Sequence, residues 1–168
     1  MGLLSSEYNT LNELFFDELK DIYDAEKRLC DALPKMAESA HNADLKNAFN
    51  EHLRETEMHC SRLERVFGAL GQEPARKTCA GIKGIIGEGD DMVSATGDPN
   101  VHDAGLIAAA QRVEHYEMAV YGTLRTFAEQ LGLADVATTL EQTLEEEKNA
   151  DAKLTEIAEQ HINAMAKP

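Results

Sequence analysis

Tryptophan is absent from this 168-residue sequence, prolines number only four, and aromatic residues make up 5%. So little proline leaves long helices unbroken, and an abundance of Ala, Leu and Glu favours forming them. Basic residues are also scarce: 16 Lys and Arg stand against 31 Asp and Glu, for a formal charge of −15. This balance argues against nucleic acid or an anionic membrane as partner, since both reward clustered Lys and Arg, and it suits a chain that attracts cations. No apolar run reaches the ~20 residues that a membrane span needs. Cysteine is limited to Cys30, Cys60 and Cys79. An odd number without C-x-x-C spacing points to free thiols in a reducing compartment, not to a disulfide frame or a zinc ribbon. No secretory leader is legible. Met1-Gly2 with Ser6 fits a myristoylation pattern only superficially, so the expectation is an ordinary N-terminus on a cytoplasmic protein. The length suits a single domain, residues 1–168.

What is present is helical periodicity in four long segments. The first runs from about Leu11 to Ser39, opened by a possible capping box at Thr10 and Glu13. Its apolar stripe includes Leu11, Phe15, Ile22, Leu29, Leu33 and Met36, and Pro34 is expected to kink its last turn. Asn42 and Asp44 mark the turn and the next cap, and the second helix spans about Leu45 to Leu70 and stops at Gly71 and Pro74. Between Glu73 and Asn100 the sequence turns glycine-rich with a weaker apolar pattern, read as a crossover holding one short helix. Asp98-Pro99 then caps a helix from about Val101 to Leu131, Gly132 closes it, and a last helix follows from about Ala134 to Met165. Short links join the first to the second and the third to the fourth, so each pair is an antiparallel hairpin. The long crossover between them predicts an all-α, ferritin-like four-helix bundle. A faint internal repeat supports two equivalent hairpins: Glu26 and Glu117, Leu53 and Leu144, Glu55 and Glu146, and Leu63 and Leu154 all lie 91 residues apart.

Each apolar stripe is interrupted near mid-length by residues of metal-ligand type. Taking the stripe as the inward direction at 100° per residue, Glu26 points inward on the first helix and Glu117 on the third, with Glu114 at its flank. Glu147 points inward on the fourth, with Asp151 a turn further on. On the second helix His52, Thr56 and His59 lie inside and Glu55 sits at the edge. Each acidic position lies roughly fifteen residues from its hairpin turn, and at 1.5 Å rise per residue all four helices bring theirs to one level. Several bare carboxylates at one level of a dry core cost several kcal/mol each. Two divalent ions bridged by carboxylates, with imidazole in remaining positions, remove that cost, and Fe or Mn suits such ligation, with Zn as a substitute. The candidate ligands are Glu26, His52, Glu55, His59, Glu114, Glu117 and Glu147. The Glu-x-x-His pattern of di-iron bundles is met only in part: Glu55 is followed at i+3 by Met58, and Glu147 by Ala150. Glu146 or Asp151 can join or replace Glu147. Against this stands an ordinary reading, in which inward acids form ion pairs with residues such as Arg28, Arg54, Arg62 or Arg112 and inward histidines are hydrogen-bonded core residues. Tyr23, Tyr116 and Tyr121 lie near the same level, where a phenol can donate to a ligand carboxylate.

The words YDAEKRL, HLRETEMHCSRLE, GLIAAAQRVEHYEMAVYGTL and TLEEEKNADAKLTEIA resemble the YciF-like stress proteins of bacteria, over nearly the whole chain. The resemblance implies a ferritin-like fold, a homodimer and a link to general or osmotic stress, and it implies no established chemistry. The pair Glu114 and Glu117 is similar to rubrerythrin in placing two Glu on the third helix. Two functions follow as expectations. One is a redox, peroxide-related or metal-handling protein built on two Fe or Mn ions. It lacks rubredoxin-type cysteines, so turnover would draw on an external electron donor. The other is a non-catalytic stress protein whose acidic cluster is structural and which acts through a partner surface. Iron storage, which needs a closed shell of many subunits, is a weaker third.

Overall fold

The computed structural model describes residues 7–167, so the Met1-Gly2 pattern lies outside the described residues. Helix α1 covers Leu11–Ser39, α2 Ala43–Ala69, α3 Ala80–Val93, α4 Pro99–Gln130 and α5 Ala134–Ile157. A π-helical stretch, Ala158–Ile162, and a last short turn, α6 at Asn163–Met165, extend α5.

The predicted caps form as the sequence implies. The Thr10 hydroxyl accepts from the Glu13 amide while the Glu13 carboxylate accepts from the Thr10 amide, both at 3.2 Å, satisfying donors that a helix start otherwise leaves orphaned. Asn42 caps α2, and Asp98 caps α4 with Pro99 in the first turn. Gly71 (φ 67°) and Gly132 (φ 74°) take the left-handed conformation just past the ends of α2 and α4, where a side chain would be strained. Pro34 lies within α1, which continues through it to Ser39. The final helix widens into π geometry at Ala158, and the sequence carries no signal for this.

The chain forms a four-helix bundle in which α1 pairs with α2 and α4 with α5, while α2 packs on α5 and α1 on α4. The crossover travels along α1: the Lys77 amide donates to the Lys20 carbonyl at 3.2 Å, and the far end of α3 meets Ser39, whose hydroxyl donates to the Val93 carbonyl at 3.3 Å. The start of α3 is fixed by Asp24, which accepts from the Cys79 amide at 2.9 Å and pairs with Arg28 and Arg76. Because the crossover runs the length of the bundle, the C-terminal end of α1 meets the first turn of α4, so these helices are antiparallel.

The core consists of apolar side chains from every long helix, among them Phe15, Leu19, Phe49, Phe67, Leu106, Leu124 and Leu140. Leu124 is fully buried, and Leu124→Ala is expected to lower unfolding free energy by about 3 kcal/mol through lost burial and a residual cavity. Denaturant titration should show that loss with an unchanged m value.

Candidate metal centre

Midway along the bundle the apolar core gives way to polar groups. Glu26, His59, Glu117 and Glu147 are completely buried, and His52, Thr56 and Glu114 nearly so. They form two overlapping sets whose potential ligand atoms lie within 4.8 Å of one another: Glu26, His59 and Glu147 in one, His52, Glu114, Glu117 and Glu147 in the other. Glu147 belongs to both. Its oxygens face different rings, Oε1 at 3.0 Å from His59 Nδ1 and Oε2 at 3.7 Å from His52 Nε2. His59 Nδ1 also lies 3.4 Å from Glu26, and His52 Nε2 lies 3.3 Å from Glu114.

The outer edge of each imidazole determines what its inner edge can do. His59 Nε2 lies 2.9 Å from Glu146, a carboxylate that also grips the guanidinium of Arg62 through both oxygens. A carboxylate only accepts, so Nε2 carries a proton, and Nδ1 is the nitrogen that the neutral ring would offer inward as a lone pair. His52 repeats the arrangement in reverse, with Nδ1 3.4 Å from Glu55 and Nε2 facing inward. Glu55, expected among the ligands, is thus kept out of the cluster: its side chain is 40% exposed and its near contact is the back of His52. Glu146 holds the matching place behind His59. These two residues form one of the pairs spaced by 91, so the repeat carried the signal for paired histidine-orienting groups. What hid it is angular: at the edge of the stripe, a side chain reaching in cannot be told from one reaching behind a ring. Asp151 lies apart from the cluster, accepting from Gln111 at 3.1 Å. Tyr121 donates to Glu26, whereas Tyr23 donates to Glu64 and Tyr116 to Asp21.

The interior is polar but unsatisfied. Glu26 Oε2, Glu114 Oε2, both oxygens of Glu117, both of Glu147, His52 Nε2, His59 Nδ1 and Thr56 Oγ1 are buried without a hydrogen-bond partner among the described residues. Burial, with the charges of Glu147, Glu26 and Glu114 added to it, pushes the Glu117 carboxyl far above its usual range. Burial also raises Glu114 to about 8, against an opposing pull from His52. Burial disfavours a charged His52, yet Glu114, Glu55 and Glu147 together push it up to about 9. Burial likewise opposes charge on His59, and Glu147 and Glu26 prevail, raising it to about 11. Without metal, then, protons occupy places that a cation can take.

A cavity of about 90 Å³ between α2 and α5 opens onto this cluster through His52 and Glu114, with Ala150 in its wall. Ala150 stands where the Glu-x-x-His pattern would put an imidazole, and its small side chain leaves the passage open. Thr56 occupies the place 91 residues before Glu147, so the two hairpins contribute unequally. The Cys30 and Cys60 sulfurs meet at 3.9 Å across α1 and α2, and all three cysteines are free thiols.

Comparison with known proteins fits this architecture. The family model described as "Domain of unknown function (DUF892)" matches residues 10–167. The chain belongs to the DUF892 family. Within it, the chain is 44% identical over 158 residues to protein YciF of Escherichia coli (strain K12), covering 94% of this chain and 95% of that one. The crystal structure of the E. coli stress protein YciF superposes with a TM-score of 0.90 at 43% identity, over 95% of this chain and 100% of that chain. YcfI from Rhodopseudomonas palustris superposes at 0.87 with 44% identity, over 91% of this chain and 98% of that chain. A Xanthomonas campestris pv. campestris protein at 23% identity and a TM-score of 0.73, over 93% and 96% of the two chains, shares the fold. Membership in DUF892 makes the present chain a relative of a bacterial stress protein. No helix among its described residues is long and apolar enough to cross a membrane.

Proposed function

We propose that the buried cluster is a two-metal centre, occupied by Fe or Mn, through which this DUF892 protein handles metal or meets peroxide under stress. One ion would be held by Glu26, His59 and Glu147, the other by His52, Glu114, Glu117 and Glu147, with Glu147 bridging. The observation that carries the reading is the set of orphaned inward oxygens and nitrogens, groups that a folded protein does not ordinarily leave buried and unpaired. The donor set fits: carboxylate oxygens mixed with neutral imidazole suit Fe and Mn. The charge fits as well, since the four carboxylates of Glu26, Glu114, Glu117 and Glu147 balance two divalent cations.

A bound pair of such ions supplies Lewis acidity and the capacity to change oxidation state. The chain's own residues do the rest. Glu55 and the Glu146–Arg62 pair keep the outer ring protons of His52 and His59 in place, so both inner nitrogens remain basic. Tyr121 keeps its proton, since burial beside Glu26 pushes its hydroxyl well above the ordinary phenol range; it therefore orients Glu26 as a donor. The cavity beside His52 and Glu114 is large enough to admit water, peroxide or dioxygen to the edge of the cluster.

A second reading, that the cluster is purely structural, draws on the contacts of His59 with Glu147 and of His52 with Glu114: two charged imidazoles opposite two carboxylates can be neutral without metal. Metal analysis of the purified chain after anaerobic loading with Fe(II) or Mn(II) separates the two. About two ions per chain, with an absorption change when peroxide is added to the Fe form, are expected. Protein that holds no ion under these conditions leaves only the structural reading.

A further inference from the structure

A different group of ligand-type side chains lies at the end of the bundle, about 22 Å along α1 from Glu26 at 1.5 Å per residue. There the turn between α1 and α2 meets the first turn of α4, and His41, His102 and Asp103 bring potential ligand atoms within 4.8 Å of one another. His41 Nδ1 lies 3.4 Å from Asp103 Oδ1, and His102 Nδ1 lies 3.8 Å from the same oxygen. The two rings stand edge to face, with centroids 5.2 Å apart.

The neighbours of His102 favour one tautomer of its ring. Ser39 donates its hydroxyl proton to the Val93 carbonyl at 3.3 Å, so its oxygen is left to accept from His102 Nε2 at 3.4 Å. With the ring proton committed to Nε2, Nδ1 of the neutral ring is a lone pair. That nitrogen is buried without a hydrogen-bond partner among the described residues, on a residue only 7% exposed. It faces the Asp103 carboxylate oxygen at 3.8 Å. Asp103 is itself immobilised: Oδ1 accepts from the His41 amide at 2.9 Å and Oδ2 from the Asn42 amide at 2.7 Å. Oδ1 retains a second lone pair.

We propose that His41, His102 and Asp103 form a second metal site, for one divalent ion of the zinc type. The spacing matches: ligands about 2.1 Å from a tetrahedral zinc ion lie roughly 3.4 Å from each other. Two imidazoles and one carboxylate supply three ligands. The exposed side of His41, whose side chain is 53% accessible, leaves the fourth position to water. The Ser39–Val93 relay plays toward His102 the part that Glu146 plays toward His59, fixing the tautomer from behind. An ion here clasps the α1–α2 turn to α4, and through Ser39 to the end of α3. This site stands independently of the central one: it shares no residue with it.

The test is zinc binding by the full-length chain at controlled free Zn²⁺, comparing wild type with His41→Ala, His102→Gln and Glu147→Ala. His41→Ala truncates a half-exposed side chain and keeps the amide that bonds Asp103, so it should fold, as circular dichroism will verify. About one Zn²⁺ per chain fewer in His41→Ala and in His102→Gln is expected, together with loss of the Co²⁺ ligand-field absorption contributed by this site. Glu147→Ala should keep the His41-dependent ion while losing those at the centre. Equal zinc content in wild type and His41→Ala overturns the proposal whatever Glu147→Ala does. If Glu147→Ala binds as wild type does while His41→Ala falls short, the terminal site stands and the central reading is the one that fails.

Discussion

Glu147→Ala is expected to empty both central metal positions at once, whereas Glu117→Leu should empty one and make the metal-free protein more stable. The difference follows from where each carboxylate sits. Glu147 presents one oxygen toward His59 and the other toward His52, so its removal takes a ligand from both ions. Glu117 belongs to the His52 set alone. In the metal-free protein it has no compensating partner: both oxygens are buried and unpaired, and its surroundings push it toward the neutral acid. Replacing such a group by an apolar side chain of similar length removes the cost of burying an unpaired polar group, about 1–3 kcal/mol. Metal content should therefore fall from about two ions to about one in Glu117→Leu and to near zero in Glu147→Ala. The thermal midpoint of the metal-free Glu117→Leu protein should rise. A Glu117→Leu protein that keeps its full metal content, or whose metal-free form is less stable than wild type, would contradict the assignment of Glu117 as a ligand otherwise uncompensated in the core.

The second large effect concerns protons. In the metal-free protein near neutral pH, His52 (about 9), His59 (about 11) and Glu114 (about 8) all hold protons, and burial pushes Glu117 the same way. Two divalent ions require these ligands deprotonated, so loading at pH ~7 should release about three protons per chain or more. Calorimetric titration in buffers of different ionisation enthalpy measures that number directly. The sign for stability is definite. Each of these groups has a folded-state pKa raised above its unfolded value. Its contribution is complete below the unfolded value and lost as pH rises through the folded one. The metal-free protein should accordingly lose stability as pH climbs, first from roughly 4.5 as Glu114 and Glu117 begin to resist deprotonation and then from roughly 6.5 towards 11 as His52 and His59 do. Metal affinity rises over the same interval, so the loaded protein gains relative to the empty one. Parallel melting curves with and without metal, or no proton release, would remove the cluster's claim to be a metal centre.

These buried polar groups are costly because each of them occupies a core position that an apolar residue would fill at lower cost. Leu124 and Leu140 show what the core does elsewhere in the bundle, where complete burial of hydrocarbon needs no partner. A mid-bundle layer of four carboxylates and two imidazoles is stable only with protons or cations distributed among them. The same principle governs the far end of the molecule, where His102 and Asp103 confront each other beneath the α1–α2 turn.

By itself the sequence determined the helices, their caps and their connection. Thr10 with Glu13, Asn42, Asp98-Pro99, Gly71 and Gly132 act over three or four residues of backbone, so their consequences are written locally. The same holds for the inward direction of Glu26, His52, His59, Glu114, Glu117 and Glu147, which follows from the 100° step between successive side chains and from stripes long enough to define a face. The tertiary structure alone decided the rest. Glu55 and Glu146 lie at stripe edges, where a few degrees of helix rotation separate a residue inside the cluster from one behind an imidazole, and that rotation is set by packing against the neighbouring helices. The meeting of His41 with His102 and Asp103 joins residues some sixty positions apart. It depends on how far the crossover carries the chain before α4 begins, a distance that no local pattern of residues encodes.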